Sequence, residues 1–492
     1  MSDYDAVVVG AGPNGLSAAV ELARHGLSVL VLEAERVPGG AARTEELTLP
    51  GFQHDVCSSV HPLAAASPFF HTIPLQQLGV TWIEPPVLLA HPLPQGRVAL
   101  LQRAPGATAP SLGDDGDAWI RLFQPFLADA PHLLDDVLAP LRWPPFPLLM
   151  AHFGQHGLRS ARHLARAHFH GAAARALFAG MAAHSGAPLS RPPTAAIGLL
   201  LAVAGHAYGW PFARGGSRVL VRALVEHLGA LGGTIECGAR VRSLAELPPA
   251  RAFLLDLTPR QLLAVAGPGL PSSYRRTLER YRYGPGVFKV DWALDGPIPW
   301  QNADCARAGT LHLGGALEEI AAAEASVWRG ERPTRPFTIL AQPGTFDATR
   351  APAGKQVAWA YCHVPNGAPW DMTSVVEEEV ERIAPGFRER ILARHAMGPA
   401  QLERHDANLV GGDIAGGALT LRQLFFRPAM RWNPYRVPLK GVYLCSSSTP
   451  PGGGVHGMCG YWAARSALQE LGAVSAGEAK QWAGASRRPP FI

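Results

Sequence analysis

Asp5-Ala6-Val7-Val8-Val9-Gly10-Ala11-Gly12-Pro13-Asn14-Gly15-Leu16 opens the chain, and the reading of this stretch decides the fold. Val7, Val8 and Val9 form an unbroken β-branched run, the pattern of a parallel strand covered on both faces. Leu16, Ala19, Val20 and Ala23 then recur at helical spacing, so the period changes from strand to helix across three glycines. In a G-x-G-x-x-G turn the first glycine permits the bend, the second lets backbone approach a pyrophosphate, and the third allows close helix packing. Gly10, Gly12 and Gly15 fill those places, with Pro13 and Asn14 at the helix start where a phosphate would rest.

A glycine triplet alone says little, because 53 glycines in 492 residues produce such spacings by chance. Context strengthens this one. His25-Gly26 ends the periodic segment, Ser28-Val29-Leu30-Val31-Leu32 reads as a second buried strand, and Glu33 stands at its C-terminal end. Glu33 follows Gly15 by 18 residues, close to the ~20 at which a carboxylate accepts hydrogen bonds from an adenosine ribose. The bland alternative is a purely structural βαβ unit with a solvated Glu33. Next, Pro38-Gly39-Gly40-Ala41-Ala42-Arg43-Thr44 forms a glycine-rich loop, with Gly40 amides and the Arg43 guanidinium available to the same dinucleotide; a surface turn is the competing reading.

Composition narrows the classes. Hydrophobic residues make up 47% and charged residues 17%, ordinary for a globular enzyme, and the length exceeds one compact core. The formal charge of +5 is scattered arginine, with Lys289, Lys355, Lys440 and Lys480 the only lysines. No dense basic run with interleaved aromatics occurs, which argues against nucleic acid as a partner. The 6 cysteines are far apart and show no C-x-x-C or metal spacing, which fits a reducing, cytoplasmic compartment and no metal. The first strand starts by about residue 4, ahead of which no signal peptide is expected. The longest apolar run, Ala195 to Gly205, is far short of the ~20 residues of a spanning helix, so a soluble protein is expected.

Along the chain, residues 68–214 turn to alanine, leucine, histidine and proline in helical patterns, an inserted and mostly helical region. Within it Leu141 to Met150 is apolar and proline-broken; ordinary core is the favoured reading, with a lipophilic tunnel or contact with a membrane surface as the alternatives. His152, His156, His163, His168 and His170 read as helix surface. Gly215-Gly216-Ser217 opens an amphipathic helix that Gly232-Gly233 stops, and strands are predicted over Thr234–Cys237, Ala239–Leu244 and Ala252–Leu257. Val287–Leu294, Leu317–Trp328, Pro336–Leu340 and Val357–Tyr361 alternate as strand, helix and strands. Finally Gly441 to Ala464 repeats the opening logic: Val442-Tyr443-Leu444-Cys445, then Pro451-Gly452-Gly453-Gly454-Val455-His456-Gly457-Met458, then a helix.

With both ends read, the chain resembles the flavin-dependent amine oxidase and phytoene desaturase superfamily. Tyr283 to Leu294, Gly411-Gly412-Asp413-Ile414 and Pro451 to Met458 look like its branch called pyridine nucleotide-disulfide oxidoreductase domain-containing protein 2. The resemblance implies an α/β fold: a discontinuous Rossmann-like FAD-binding domain (residues 1–67, 215–282 and 432–475) with an inserted mixed α+β substrate domain (68–214 and 283–431), and a C-terminal tail over 476–492. It implies FAD as cofactor, held by Gly10, Gly12, Pro13, Asn14, Gly15, Glu33, Gly40, Arg43, Val241, Gly453, Gly454, Val455 and Met458. Two departures stand out: Ala41 replaces the arginine that related oxidases carry after the double glycine, and His456 replaces the proline of carotenoid desaturases. His456 is the candidate proton donor or acceptor near the ring, against a packing role. The activity implied is removal of hydride from a small, largely apolar substrate. The alternatives are a carotenoid-type desaturase or isomerase at a membrane surface, and a flavin-binding interaction protein without turnover.

Overall fold

The computed structural model describes residues 4–474; the expected tail over 476–492 lies outside the described residues. Its first layer is a five-stranded, all-parallel sheet in the order Val442–Leu444, Ala252–Leu255, Ala6–Val9, Val29–Glu33, Thr234–Cys237. The register sets Val8 between Leu254 and Val31, so the opening valines sit in the middle of the sheet, with helix residues packed on the Val8 face and the chain around Val241 on the Val7 face. That is why the strand reads as continuously apolar: neither face meets water. A strand more than two hundred residues downstream thus joins the first.

Two helices lie on this sheet and against each other, Pro13–Arg24 and Met458–Glu470. Their approach is unusually close. A Cβ on Gly460 would fall 1.8 Å from the Asn14 carbonyl oxygen, and one on Gly15 would fall 2.0 Å from the carbonyl oxygen of Gly10. Only hydrogen fits at either place, and Gly10 itself turns at φ +100°, where glycine is the default residue.

The second layer is a seven-stranded mixed sheet in the order Ile391–Met397, Gly286–Leu294, Gln356–Val364, Thr338–Ala341, Ala308–Leu313, Val87–Pro92, Val98–Leu101. The segment over 68–214 is mostly helical, as expected, but it also gives this sheet its two last strands, which the sequence reading missed. Val87-Leu88-Leu89-Ala90 is buried on both faces, so it carries no alternation to betray a strand. The helices of that segment, among them Ala172–Ala183 and Thr194–Tyr208, build an apolar core with this sheet. The five histidines fall on two helices and beyond, His152 and His156 on Pro147–Gly157, His163 and His168 on Ala161–His168. No strand forms over Ala239–Leu244: the Ala239 amide still bonds the Glu33 carbonyl at 2.8 Å, but beyond it the chain leaves the ladder and turns into a 3-10 turn at Leu244–Glu246. Among the described residues no helix is long and apolar enough to cross a membrane.

The segment from Leu141 to Met150 also departs from the favoured core reading. Trp143 is 86% and Leu148 85% exposed, and Leu141 is exposed too. Pro140, Pro144, Pro145 and Pro147 fix the backbone and remove amide donors, so neither a strand nor a helix can carry these side chains inward until Pro147–Gly157 begins.

Candidate functional site

One cavity of about 1210 Å³ runs between the parallel sheet and the mixed sheet. It exceeds the ~300–1,000 Å³ of an ordinary small-molecule pocket. Gly10, Gly12, Pro13, Asn14, Glu33, Gly40, Arg43, Val241, Gly453, Gly454, Val455 and His456 all line it. Gly15 and Met458 do not: Gly15 packs beneath the turn against the Gly10 carbonyl, and Met458 is fully buried as the first residue of the C-terminal helix. Val241 reaches the cavity from irregular backbone rather than from the expected strand.

The glycine turn is organised by two carboxyl groups. Glu33 ends its strand and accepts the Ala11 amide at 2.7 Å and the Glu35 amide at 2.8 Å, which fixes the turn relative to the second strand. Asp256 follows the third strand, Ala252–Leu255, and accepts the Gly15 amide at 3.0 Å. It lies in the bend itself: a Cβ on Gly10 would be 3.1 Å from the Asp256 Cβ. Burial pushes its carboxyl up to about 8, with the Asp406 and Glu33 charges adding and the Gly15 amide opposing, so Asp256 is neutral at pH 7. A negative phosphate beside it therefore meets a neutral group.

Helix Pro13–Arg24 begins at Gly12 with no side-chain cap and no acid in its first turn. Pro13 has no amide hydrogen and Asp256 takes that of Gly15, so the Gly12 and Asn14 amides, with the positive dipole end, are what this turn offers the cavity. Asn14 donates through Nδ2 to the Ser447 hydroxyl at 3.3 Å, while its Oδ1 is buried without a hydrogen-bond partner. Uncapped amides, a backbone cradle, a ribose-height carboxylate and an orphaned amide oxygen fit the diphosphate and sugar of a dinucleotide. Arg43 donates to the carbonyl oxygens of Gly40 at 3.2 Å and His405 at 2.9 Å, which holds it along the same wall.

At the other chain end, His456 accepts the Met458 amide on Nδ1 at 3.0 Å and so caps the helix Met458–Glu470. Burial pulls its imidazole down to about 4 against the opposing pull of the Gly452 and Gly453 backbone, leaving it neutral.

Two groups escaped the sequence reading. Asp256 stands after its strand as Glu33 does after its own, a parallel the sequence displays. Lys289 lies in the wholly buried strand Gly286–Leu294, lines the cavity, bonds Asp291 and sits 5.4 Å from the Trp359 ring centre. A lysine inside nine apolar-patterned residues is itself the signal, since an ammonium is rarely buried without a purpose. Burial raises the Asp291 carboxyl to about 6 against the pull of Lys289, and Asp291 Oδ2 has no partner.

Comparison with known proteins agrees with this geometry. Residues 8–71 match the NAD(P)-binding Rossmann-like domain family. Pyridine nucleotide-disulfide oxidoreductase domain-containing protein 2 of Rattus norvegicus is 28% identical across 95% of this chain and 94% of its own length. Among solved structures, wild-type putrescine oxidase bound to putrescine superposes with a TM-score of 0.62 at 18% identity, covering 95% of this chain and 99% of that one. Cyclohexylamine oxidase from Brevibacterium oxydans does so with a TM-score of 0.59 at 17% identity, covering 96% and 100%. Over nearly its whole length the chain is thus similar to pyridine nucleotide-disulfide oxidoreductase domain-containing protein 2, with a Rossmann-like dinucleotide-binding match at residues 8–71 and the fold of the two amine oxidases.

Proposed function

We propose that the chain is an FAD-dependent oxidoreductase that removes hydride from a small, largely apolar substrate. One observation carries the reading: the Gly10 to Asn14 turn and the Gly453 to Val455 loop, from opposite chain ends, share a single cavity with the apolar wall of the mixed sheet. FAD, when bound, supplies the hydride-accepting chemistry. The chain's own part is to hold and enclose. Gly12 and Asn14 present backbone amides to the diphosphate, Pro13 fixes the start of the helix between them, Glu33 accepts from the ribose hydroxyls, and Val241 backbone borders the adenine. Gly40 and Arg43 flank the phosphates, with Gly453, Gly454, Val455 and the helix start at Met458 toward the ring system. Leu200, Leu201, Trp210, Ile339, Trp359 and Tyr361 make a water-excluding wall for the substrate. His456 keeps the helix terminus aimed.

The test is anaerobic mixing of FAD-loaded protein with apolar amines, alcohols and alkenes. Bleaching of the flavin's visible band by one class supports the reading, and protein that shows no flavin band even after FAD is added refutes it. A lipid surface is a second expected partner, supported by Leu141, Trp143 and Leu148, exposed apolar side chains of which Leu141 and Trp143 line the cavity. Sedimentation with liposomes that Trp143→Ser abolishes favours that contact; no sedimentation of the native protein rules it out.

A further inference from the structure

Along the cavity wall three histidines from distant parts of the chain form a line, His91 and His312 buried and His184 half-buried. His184 caps the helix Ala172–Ala183 and lines the cavity. Its Nε2 lies 2.9 Å from Nε2 of His312, on the strand Ala308–Leu313. His91, on the neighbouring strand Val87–Pro92, sits edge-on to His312 with ring centres 6.4 Å apart, and its Nε2 donates to the Gly315 carbonyl at 2.8 Å. The Nδ1 atoms of His91 and His312 are buried without partners, and both lie against Gly180, where an added Cβ would come within 3.1 and 2.5 Å of them.

The far end of this line fixes the proton on His91 and biases those on the other two rings. A carbonyl only accepts, so His91 carries its hydrogen on Nε2 and a lone pair on Nδ1. Facing that lone pair, His312 is best placed with its hydrogen on Nδ1, which makes its Nε2 the acceptor. His184 must then donate from Nε2, and its remaining nitrogen, Nδ1, bears a lone pair. Burial keeps all three rings neutral, drawing His91 down to about 4, His184 to about 3 and His312 well below the usual range, with neighbouring histidines reinforcing the shift on His184 and His312. His184 retains accessible surface although protein surrounds it, and that surface belongs to the cavity wall. Two residues before His312, on the same face of its strand, Thr310 also lines the cavity; its hydroxyl is buried with no partner.

We propose that His184 Nδ1 and Thr310 Oγ1 form a subsite for a hydroxyl group on an otherwise apolar ligand. A hydroxyl both donates and accepts, which satisfies the acceptor on His184 and the hydroxyl of Thr310 together; an ether or a hydrocarbon leaves the pair unanswered. His312 and His91 are positioning residues that hold the tautomer of His184. The inference rests on the reading of this cavity as the substrate cavity and does not need the flavin for its test.

The test is calorimetric titration of the full chain, as purified, with 1-octanol and with 1-methoxyheptane, which matches it in heavy atoms but cannot donate. Native protein is expected to bind 1-octanol roughly tenfold more tightly. His184→Leu and Thr310→Val, the latter nearly isosteric, should bring the two ligands together. His312→Leu, which touches nothing in the cavity, should do the same, while His312→Gln, whose amide oxygen can take the same proton, should retain the preference. Equal affinities in native protein, binding of neither ligand, or a preference that survives His184→Leu overturns the proposal. Flavin absorbance read on the same samples keeps the two readings apart: a flavin-free protein that still prefers 1-octanol sinks the cofactor assignment alone.

Discussion

Replacing Asp256 by asparagine tests the glycine turn where it is most unusual. The carboxyl is buried in the bend and its folded value is about 8, against 3.8 for an ordinary aspartate. Below pH 3.8 both the folded and the unfolded chain hold the proton, and this group adds no pH dependence. Between 3.8 and 8 the folded protein holds a proton that the unfolded chain has released, so stability falls as pH rises; above 8 both forms are ionised and the curve flattens. The slope is ~1.4 kcal/mol per pH unit, so moving from pH 5 to pH 7 removes about 3 kcal/mol through this one side chain. The asparagine side chain would keep an oxygen for the Gly15 amide, bonded at 3.0 Å in the native protein, and has nothing to ionise. Denaturant unfolding of FAD-free protein at pH 5, 6, 7 and 8 provides the assay, with the difference between Asp256→Asn and native protein cancelling the other titrating groups. The variant should gain on the native chain steadily from pH 5 to pH 8. Parallel stability curves would refute the argument that this carboxyl is held neutral.

Three further outcomes follow from the same geometry. Glu33→Gln should weaken FAD binding by roughly tenfold to a hundredfold, measured by titrating flavin into apoprotein, because a charge-assisted acceptor becomes a neutral amide. Gly460→Ala should cost ~2 kcal/mol or more in thermal unfolding, since its Cβ would lie 1.8 Å from the Asn14 carbonyl, whereas Gly229→Ala, in a helix with open space around it, should stabilise by ~0.5–1 kcal/mol. His456→Ala removes the acceptor for the Met458 amide and should destabilise by ~1 kcal/mol, while His456→Asn, which retains an acceptor, should recover most of that loss.

What could be read in advance depended on whether the signal was local. The opening strand, turn and helix, and Glu33 at the next strand's end, are written in periodicity over thirty residues, and the fold follows their order. Leu317–Trp328 is legible for the same reason. Val87–Pro92 is not, because a strand buried on both faces has no alternation and sits among prolines and alanines that suggest helices. The exposure of Trp143 was hidden too: an apolar run looks alike in a core and on a rim, and only the tertiary position separates them. Asp256 and Lys289 lay in stretches already read as strand and broke their apolar pattern, Asp256 alone and Lys289 together with Asp291. The line of His184, His312 and His91 had no local trace at all, since three separate elements bring it together.

The central claim is that two chain ends grip one flavin dinucleotide. It is tested most directly by native mass spectrometry of the purified chain, with the released nucleotide identified after denaturation. One FAD per chain, lost together with the visible flavin spectrum when Gly12→Val closes the cradle, is the expected result. A chain that retains NADP, or that neither carries nor takes up FAD while remaining folded, would contradict it.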